Sequence, residues 1–280
     1  MTKKAKPKTI QKKPAVKTKT PAIKKIISKG EPKPYVIENE KGGARIVVIC
    51  DHASNRIPKA LGTLGVSAKD RKKHIAWDVG TEHIGRYIAQ KTGAVYIHAS
   101  YSRLVVDLNR GEKSNECMRE VYDHIQVPGN TGLSAQHKKM RLDEIYDPYH
   151  AAIDALVTKR KKGKRLPLII SIHSFTPKMD GQKRPWQIGV LWNREERLAQ
   201  RLISTLIAHN PRLIVGRNEP YSLKAKNVVK NTISTHAEAR GLPYITLEFR
   251  QDLVNTKAKA EKWARLLLQS LLPLMLELGV

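Results

Sequence analysis

The sequence is short of several things, and each shortage removes an option. Two of its 280 residues are cysteines, Cys50 and Cys117, so no disulfide framework can hold the chain. Cys50 lies in an apolar run and reads as a small core residue. Aromatic residues make up 5%, with two phenylalanines, which leaves few rings for the stacking that single-strand nucleic-acid binders use. No apolar run approaches the roughly 20 residues of a membrane span. The stretch AIKKIIS (22–28) is too short and too interrupted for a secretory signal, and no arginine precedes Arg45, where a transit peptide would place several. The motifs HExxH, GxSxG, paired CxxC and the Walker loop are all missing. These absences point to a reducing, cytoplasmic setting and exclude several familiar catalytic plans.

Negative charge is also scarce. Asp and Glu number 25 against 52 Lys and Arg, a net charge of +27. The excess is uneven: residues 1–34 hold twelve lysines and one glutamate, and the remaining 246 residues carry +16. A segment rich in Lys, Pro, Thr and Ala with no aromatic residue cannot bury enough surface to offset its ordering entropy. We therefore expect residues 1–34 to be a disordered tail and 35–280 a single domain. Such a tail can bind a polyanion weakly by phosphate neutralisation, or act as a solvated extension. A nucleic-acid- or polyanion-binding protein without catalysis is thus a reading to weigh against an enzyme.

What is present is alternation. RIVVIC (45–50), AVYIHA (94–99), RLVVDL (103–108), LPLIISI (166–172), WQIGVLW (186–192) and YITLEF (244–249) have the length and β-branched content of strands. Helical spacing of apolar residues occupies 80–91, 142–159, 194–208 and 257–278, the last with Pro273 inside it. Together they predict an α/β fold, a three-layer sandwich around a mixed, mainly parallel sheet. Open sheets of this kind place ligands at the carboxyl ends of their strands. Several strand-like runs end on polar residues: His52 after the first, His173 in SIHS, and Glu248 in ITLEF, while Asp107, Asn109 and Arg110 close the run beginning RLVV.

Two histidines with carboxylates at strand ends suit a divalent metal such as zinc, with a free carboxylate as general base and an arginine for a developing oxyanion. Either histidine taken alone is more often a hydrogen-bonded structural residue. Trp77, Trp186 and Trp192 are expected to pack.

The segments VDLNR (106–110), IHS (172–174) and LEFR (247–250) are similar to motifs of zinc carboxypeptidases, in the same order. More extensively, DHASNRIP (51–58), AWDVG (76–80), YSRLVVDLNR (101–110), DPYH (147–150), SIHSFTP (171–177), NEPYS (218–222) and HAEARGLPYITLEFRQD (236–252) resemble the N-formylglutamate amidohydrolase family, which shares the carboxypeptidase-like fold. The resemblance implies hydrolysis of N-formyl-L-glutamate, or of a similar N-acylamino acid or small peptide, at a zinc ion or another divalent metal. It implies His52 and His173 as metal ligands. Asn55 stands where carboxypeptidases have a glutamate ligand, and an amide binds zinc poorly, so Asp78 is the expected third ligand. As the residue ahead of the helix at 80–91, Asp78 would also serve as a cap. Glu248 is implied as general base, sharing a strand face with Thr246 and Arg250. Arg103 is implied for carboxylate or oxyanion binding, Asn109, Arg110 and Arg250 for the substrate carboxylate, and His236 as a pocket residue or cap. Asp107 is expected to orient an arginine and His150 to be structural.

Overall fold

In a computed structural model, residues 25–280 are described except 162, 164 and 225–231. Seven strands form one sheet, and in chain order the elements build it as follows. Strand β1 (Tyr35–Glu38) and strand β2 (Ile46–Cys50) precede helix α1 (Thr81–Thr92) and strand β3 (Val95–Ala99). A small hairpin, β4 (Val121–Tyr122) and β5 (Ile125–Gln126), leads to α2 (Ala135–Arg141) and α3 (Asp147–Arg160). Strand β6 (Leu168–Phe175) is followed by a second hairpin, β7 (Lys178–Met179) and β8 (Gln182–Lys183), then β9 (Ile188–Leu191), α4 (Glu196–His209) and β10 (Val215–Arg217). The short helix α5 (Thr232–His236), strand β11 (Tyr244–Arg250) and helix α6 (Lys257–Leu278) complete the fold.

The sheet order is β1-β3-β2-β6-β11-β9-β10. The β3–β2–β6–β11 core and the β9–β10 pair are parallel, while β1 and β9 join antiparallel to β3 and β11. The sheet is therefore mixed and mainly parallel, with both faces covered, and its central strands are buried along almost their whole length for that reason. Alternation divides the core. Ile46, Val48, Cys50, Ile170, Ile172 and Leu247 pack toward α1, α4 and α6. Val47, Ile49, Ile169 and Tyr244 pack toward α3 and the loops between β3 and α3. Helix α6 covers 257–278 with Pro273 inside it.

Three expectations change. The run 103–108 forms no strand: Val105 N–H bonds Ser102 O at 2.9 Å and Asp107 N–H bonds Cys117 O at 2.7 Å, in a chain of turns. Leu104, Val105, Val106 and Leu108 are all buried, so the run owes its apolar character to enclosure rather than to a ladder. The helix expected over 142–159 begins as a π-turn at Leu142–Tyr146, and the α-helix proper starts at Asp147. Contacts with the domain also begin ahead of residue 35, within the segment expected to be a tail. Ile26 is buried, and the carboxylate of Glu144 accepts the N–H groups of Ile26 and Ile27 at 2.9 Å each. Tyr101 Oη donates to Pro32 O at 2.7 Å. The rest of the expected tail, residues 1–24, lies outside the described residues. Among the described residues no helix is long and apolar enough to cross a membrane.

Candidate functional site

Strands β2, β6 and β11 are consecutive neighbours, so their carboxyl ends meet. His52 follows β2 by two residues. His173 and Glu248 are register partners on β6 and β11. All three are buried, with 3%, 5% and 6% exposure, which is unusual for groups that can carry charge.

Asp78 joins them from the loop before α1. A glycine at position 80 makes this possible: its φ is +84°, and a Cβ there would meet Val254 O at 2.1 Å. The Asp78 side chain does not cap the helix. Gly80 is the capping residue, and it is the Asp78 carbonyl that accepts the Thr81 hydroxyl at 2.7 Å. The freed carboxylate faces both histidines, with Oδ2 3.3 Å from His52 Nδ1 and 3.0 Å from His173 Nδ1. Ligand atoms of His52, Asp78 and His173 all lie within 4.8 Å of one another.

The outer ring nitrogens decide how the inner ones are used. His52 Nε2 lies 2.8 Å from Asp107 Oδ1, so it donates there and leaves a lone pair on Nδ1. His173 Nε2 lies 3.1 Å from Ser171 Oγ and 3.6 Å from Asp51 Oδ2. Asp51 is itself held by Tyr149 Oη at 2.9 Å. Two Nδ1 lone pairs therefore face a carboxylate that can only accept, and a positive group is needed among them. The guanidinium of Arg103 lies against His52 Nδ1 and Asp78 Oδ1. The donor set thus attracts cations, and its composition of two imidazoles and one carboxylate, with outer partners fixing each ring, fits a divalent metal such as zinc.

Electrostatics follow the same plan. Burial and Arg103 push the His52 pKa down, but Asp107 and Asp78 outweigh them and hold it above the ordinary imidazole value. Burial would raise Asp78, yet Arg103, His52 and the histidine hydrogen bonds keep it well below the usual carboxylate range. Glu248 is the opposite case. Burial, reinforced by the charge of Asp78, pushes its carboxyl well above the ordinary value, and its Oε2 has no hydrogen-bond partner among the described residues. Two neighbouring carboxylates are thereby driven apart, one ionised and one inclined to hold a proton.

The other expected residues fall around this centre. Asn109 Nδ2 is 3.5 Å from His173 Nε2, and its Oδ1 accepts the Thr232 N–H at 3.1 Å. Arg110 pairs with Glu116 at 2.9 Å. Arg250 turns to Asp252 at 2.8 Å and to the carbonyls of Arg184 and Pro185. His236 ends α5, just ahead of a 3-10 turn at Glu238–Arg240, and its Nε2 meets His150 Nδ1 at 2.9 Å. His150 Nε2 donates to Leu108 O at 3.0 Å, so His236 must donate to His150. Burial, then the charge of His150, lowers the His236 pKa to about 4. This pair supports the 108–110 loop from beneath. Asp107 orients an imidazole, not the arginine expected of it. Asn55 donates to Arg71 O at 3.1 Å and stands apart from the triad.

Sequence reasoning passed over Asp51, although it adjoins His52 in the chain, and His74, whose Nδ1 is 3.2 Å from Asp78 Oδ1. It also passed over Arg184 and Tyr221, which belong to a hairpin and a loop with no periodic signal.

The sequence profile of the family described as N-formylglutamate amidohydrolase matches residues 44–255. Two crystal structures share the fold. One is gene product Atu2144 from Agrobacterium tumefaciens, 30% identical, covering 89% of this chain and 99% of its own, with a TM-score of 0.83. The other is an N-formylglutamate amidohydrolase from Ralstonia eutropha JMP134, 17% identical, covering 89% and 100%, with a TM-score of 0.63. The chain has no significant match among curated proteins.

Proposed function

The chain belongs to the N-formylglutamate amidohydrolase family, and from that premise we propose that it hydrolyses N-formyl-L-glutamate, a small cytoplasmic substrate, to formate and glutamate. The observation that carries the proposal is the buried triad of His52, Asp78 and His173 with Glu248 beside it, all at adjoining strand ends.

His52 Nδ1, His173 Nδ1 and the Asp78 carboxylate would hold a zinc or similar divalent ion. When bound, such an ion supplies Lewis acidity that polarises an amide carbonyl and eases removal of a proton from water. The protein's own groups do the rest. With a cation held beside Asp78, the charge that helps keep Glu248 protonated would be offset, and the ionised Glu248 would take the proton of the attacking water and return it to the departing amine nitrogen. Arg103, whose guanidinium lies against His52 and Asp78, stabilises negative charge developing on the carbonyl oxygen. Asp107 and Asp51 keep the two imidazoles in the required orientation.

The test is metal content together with formate release from N-formyl-L-glutamate, for the wild type and His173→Ala. Stoichiometric zinc and formate release, both lost in the variant, are expected. Zinc without formate release would move the substrate to N-acylamino acids with larger acyl groups. Absence of both after zinc is supplied would sink the proposal and leave a non-catalytic role as the better reading.

A further inference from the structure

Each arginine that the sequence offers for a substrate carboxylate already has an acid of its own. Arg103 has Asp78, Arg110 has Glu116 and Arg250 has Asp252. Arg184, in the segment GQKRPW after β8, does not. Its guanidinium reaches only neutral groups: Tyr221 Oη at 3.1 Å, Thr176 Oγ1 at 3.3 Å, Thr176 O at 3.5 Å and the Met179 sulfur. No carboxylate forms an ion pair with it among the described residues, although the buried Glu248 feels its charge, and residues 1–24, 162, 164 and 225–231 contain no Asp or Glu.

The position of this charge is fixed by the strands that carry the catalytic groups. The Arg184 guanidinium carbon lies 5.9 Å from the ring centre of Phe175, and Phe175 is two residues beyond His173 on the same strand face. The carbonyls of Arg184 and Pro185 are held by Arg250, two residues beyond Glu248. Two residues of strand span roughly 7 Å, the reach of a few covalent bonds from a reacting amide. On its other side the guanidinium lies 5.0 Å from the ring centre of Tyr221. Tyr221 is brought in by the loop after β10, which can approach because Gly189, opposite Glu248, has no side chain. A Cβ there would meet Glu219 O at 2.0 Å. Burial, then the charge of Glu248, raises the Tyr221 pKa, so the phenol keeps its proton. Its oxygen accepts from Arg184, and its hydrogen is left for a ligand. A guanidinium held between aromatic rings, supplied with neutral partners alone, is a receptor for a planar anion.

We propose that Arg184, with Tyr221 beside it, receives a carboxylate of the substrate, and that the site thereby selects amides whose amino-acid part carries a free carboxylate. This deepens the amidohydrolase reading and rests on it for the identity of the ligand.

The experiment is calorimetric binding of L-glutamate, L-glutamine and L-isoglutamine to the zinc-loaded full chain, for the wild type, Arg184→Gln, Arg184→Lys and Arg110→Gln. Arg184→Gln is expected to lose about 10- to 100-fold in glutamate affinity. The amide that lacks the Arg184-bound carboxylate should bind wild type and variant equally, and Arg184→Lys should recover part of the loss. An equal loss for all three ligands would mean that Arg184 merely holds the hairpin, and would overturn the proposal. So would undiminished glutamate binding by Arg184→Gln, or no binding of glutamate by the wild type. Formate release is scored separately. Selective glutamate binding without formate release keeps Arg184 and removes the deformylase. Formate release with an unchanged KM in Arg184→Gln does the reverse.

Discussion

Glu248 sits 6% exposed with one oxygen lacking a hydrogen-bond partner among the described residues, so its ionised form is expensive in this place. The sign of the resulting pH effect is fixed. The folded pKa lies above the unfolded one, so below about pH 4.3 the group is protonated in both states and contributes no difference. As pH rises past that point the unfolded chain ionises Glu248 first, and the native state loses relative stability until pH passes the raised folded value. In metal-free protein, Glu248→Gln should therefore melt above the wild type at pH 7, with the gap closing near pH 4. Equal melting temperatures at pH 7 would show that Glu248 is not held neutral by the fold. The same substitution should retain metal and remove most hydrolysis. Asp78, although its neighbour, has the opposite character because Arg103 and two imidazoles surround it.

Among the elements, the link between β2 and α1 matters most to the site. Its path places Asp78 N–H on His52 O at 2.8 Å and brings Gly80 against the chain entering α6, so one loop sets a ligand and begins a helix. Gly80→Ala adds a methyl 2.1 Å from Val254 O and forces a side chain to adopt a φ of +84°. We expect a loss of at least about 1–3 kcal/mol in stability, with weaker zinc binding measured by chelator competition. Stability lost with zinc affinity intact would mean that Asp78 is positioned by the sheet alone. The turn-rich segment 101–110 is a second such element. Asn130 Nδ2 bonds Leu104 O at 2.9 Å and Arg141 Nη1 bonds Val105 O at 2.8 Å, so buried polar groups replace the ladder that a strand would have provided. Burial alone, with no carboxylate at hand, lowers the Arg141 pKa to about 10, a mark of how far this support lies from water.

For the molecule as a whole, the basic N-terminal segment divides in two. Residues 1–24 contain nine lysines and no acidic residue, while 25–34 lie against the domain through Ile26, Glu144 and Tyr101. Removing 1–24 should leave the melting temperature unchanged and abolish salt-dependent retention on a polyanion column. Removing 1–34 should in addition cost about 2–4 kcal/mol, from the burial of one isoleucine and the hydrogen bonds around it. Unchanged retention after the shorter deletion would place polyanion binding on the domain. An equal melting temperature after the longer one would show that residues 25–34 only rest on the surface.

Strand-length apolar runs and helical spacing were enough to determine the α/β sandwich, because both faces of the central strands had to be buried and the sequence says so locally. The polar ends of β2, β6 and β11 were legible for the same reason: His52, His173 and Glu248 each interrupt a run that otherwise has no use for charge. Tertiary structure decided what no local pattern contains. Residues 103–108 look like a strand but pack as enclosed turns, since burial on all sides gives the same composition as a ladder. Asp78 became a partner of the histidines through a glycine-dependent loop, and Asp107 turned to His52 instead of to an arginine. Above all, which of the arginines around the site lacks an ion pair depends on where the acids go, and that is a property of the folded chain: Glu116 and Asp252 satisfy Arg110 and Arg250, and Arg184 is left for a ligand.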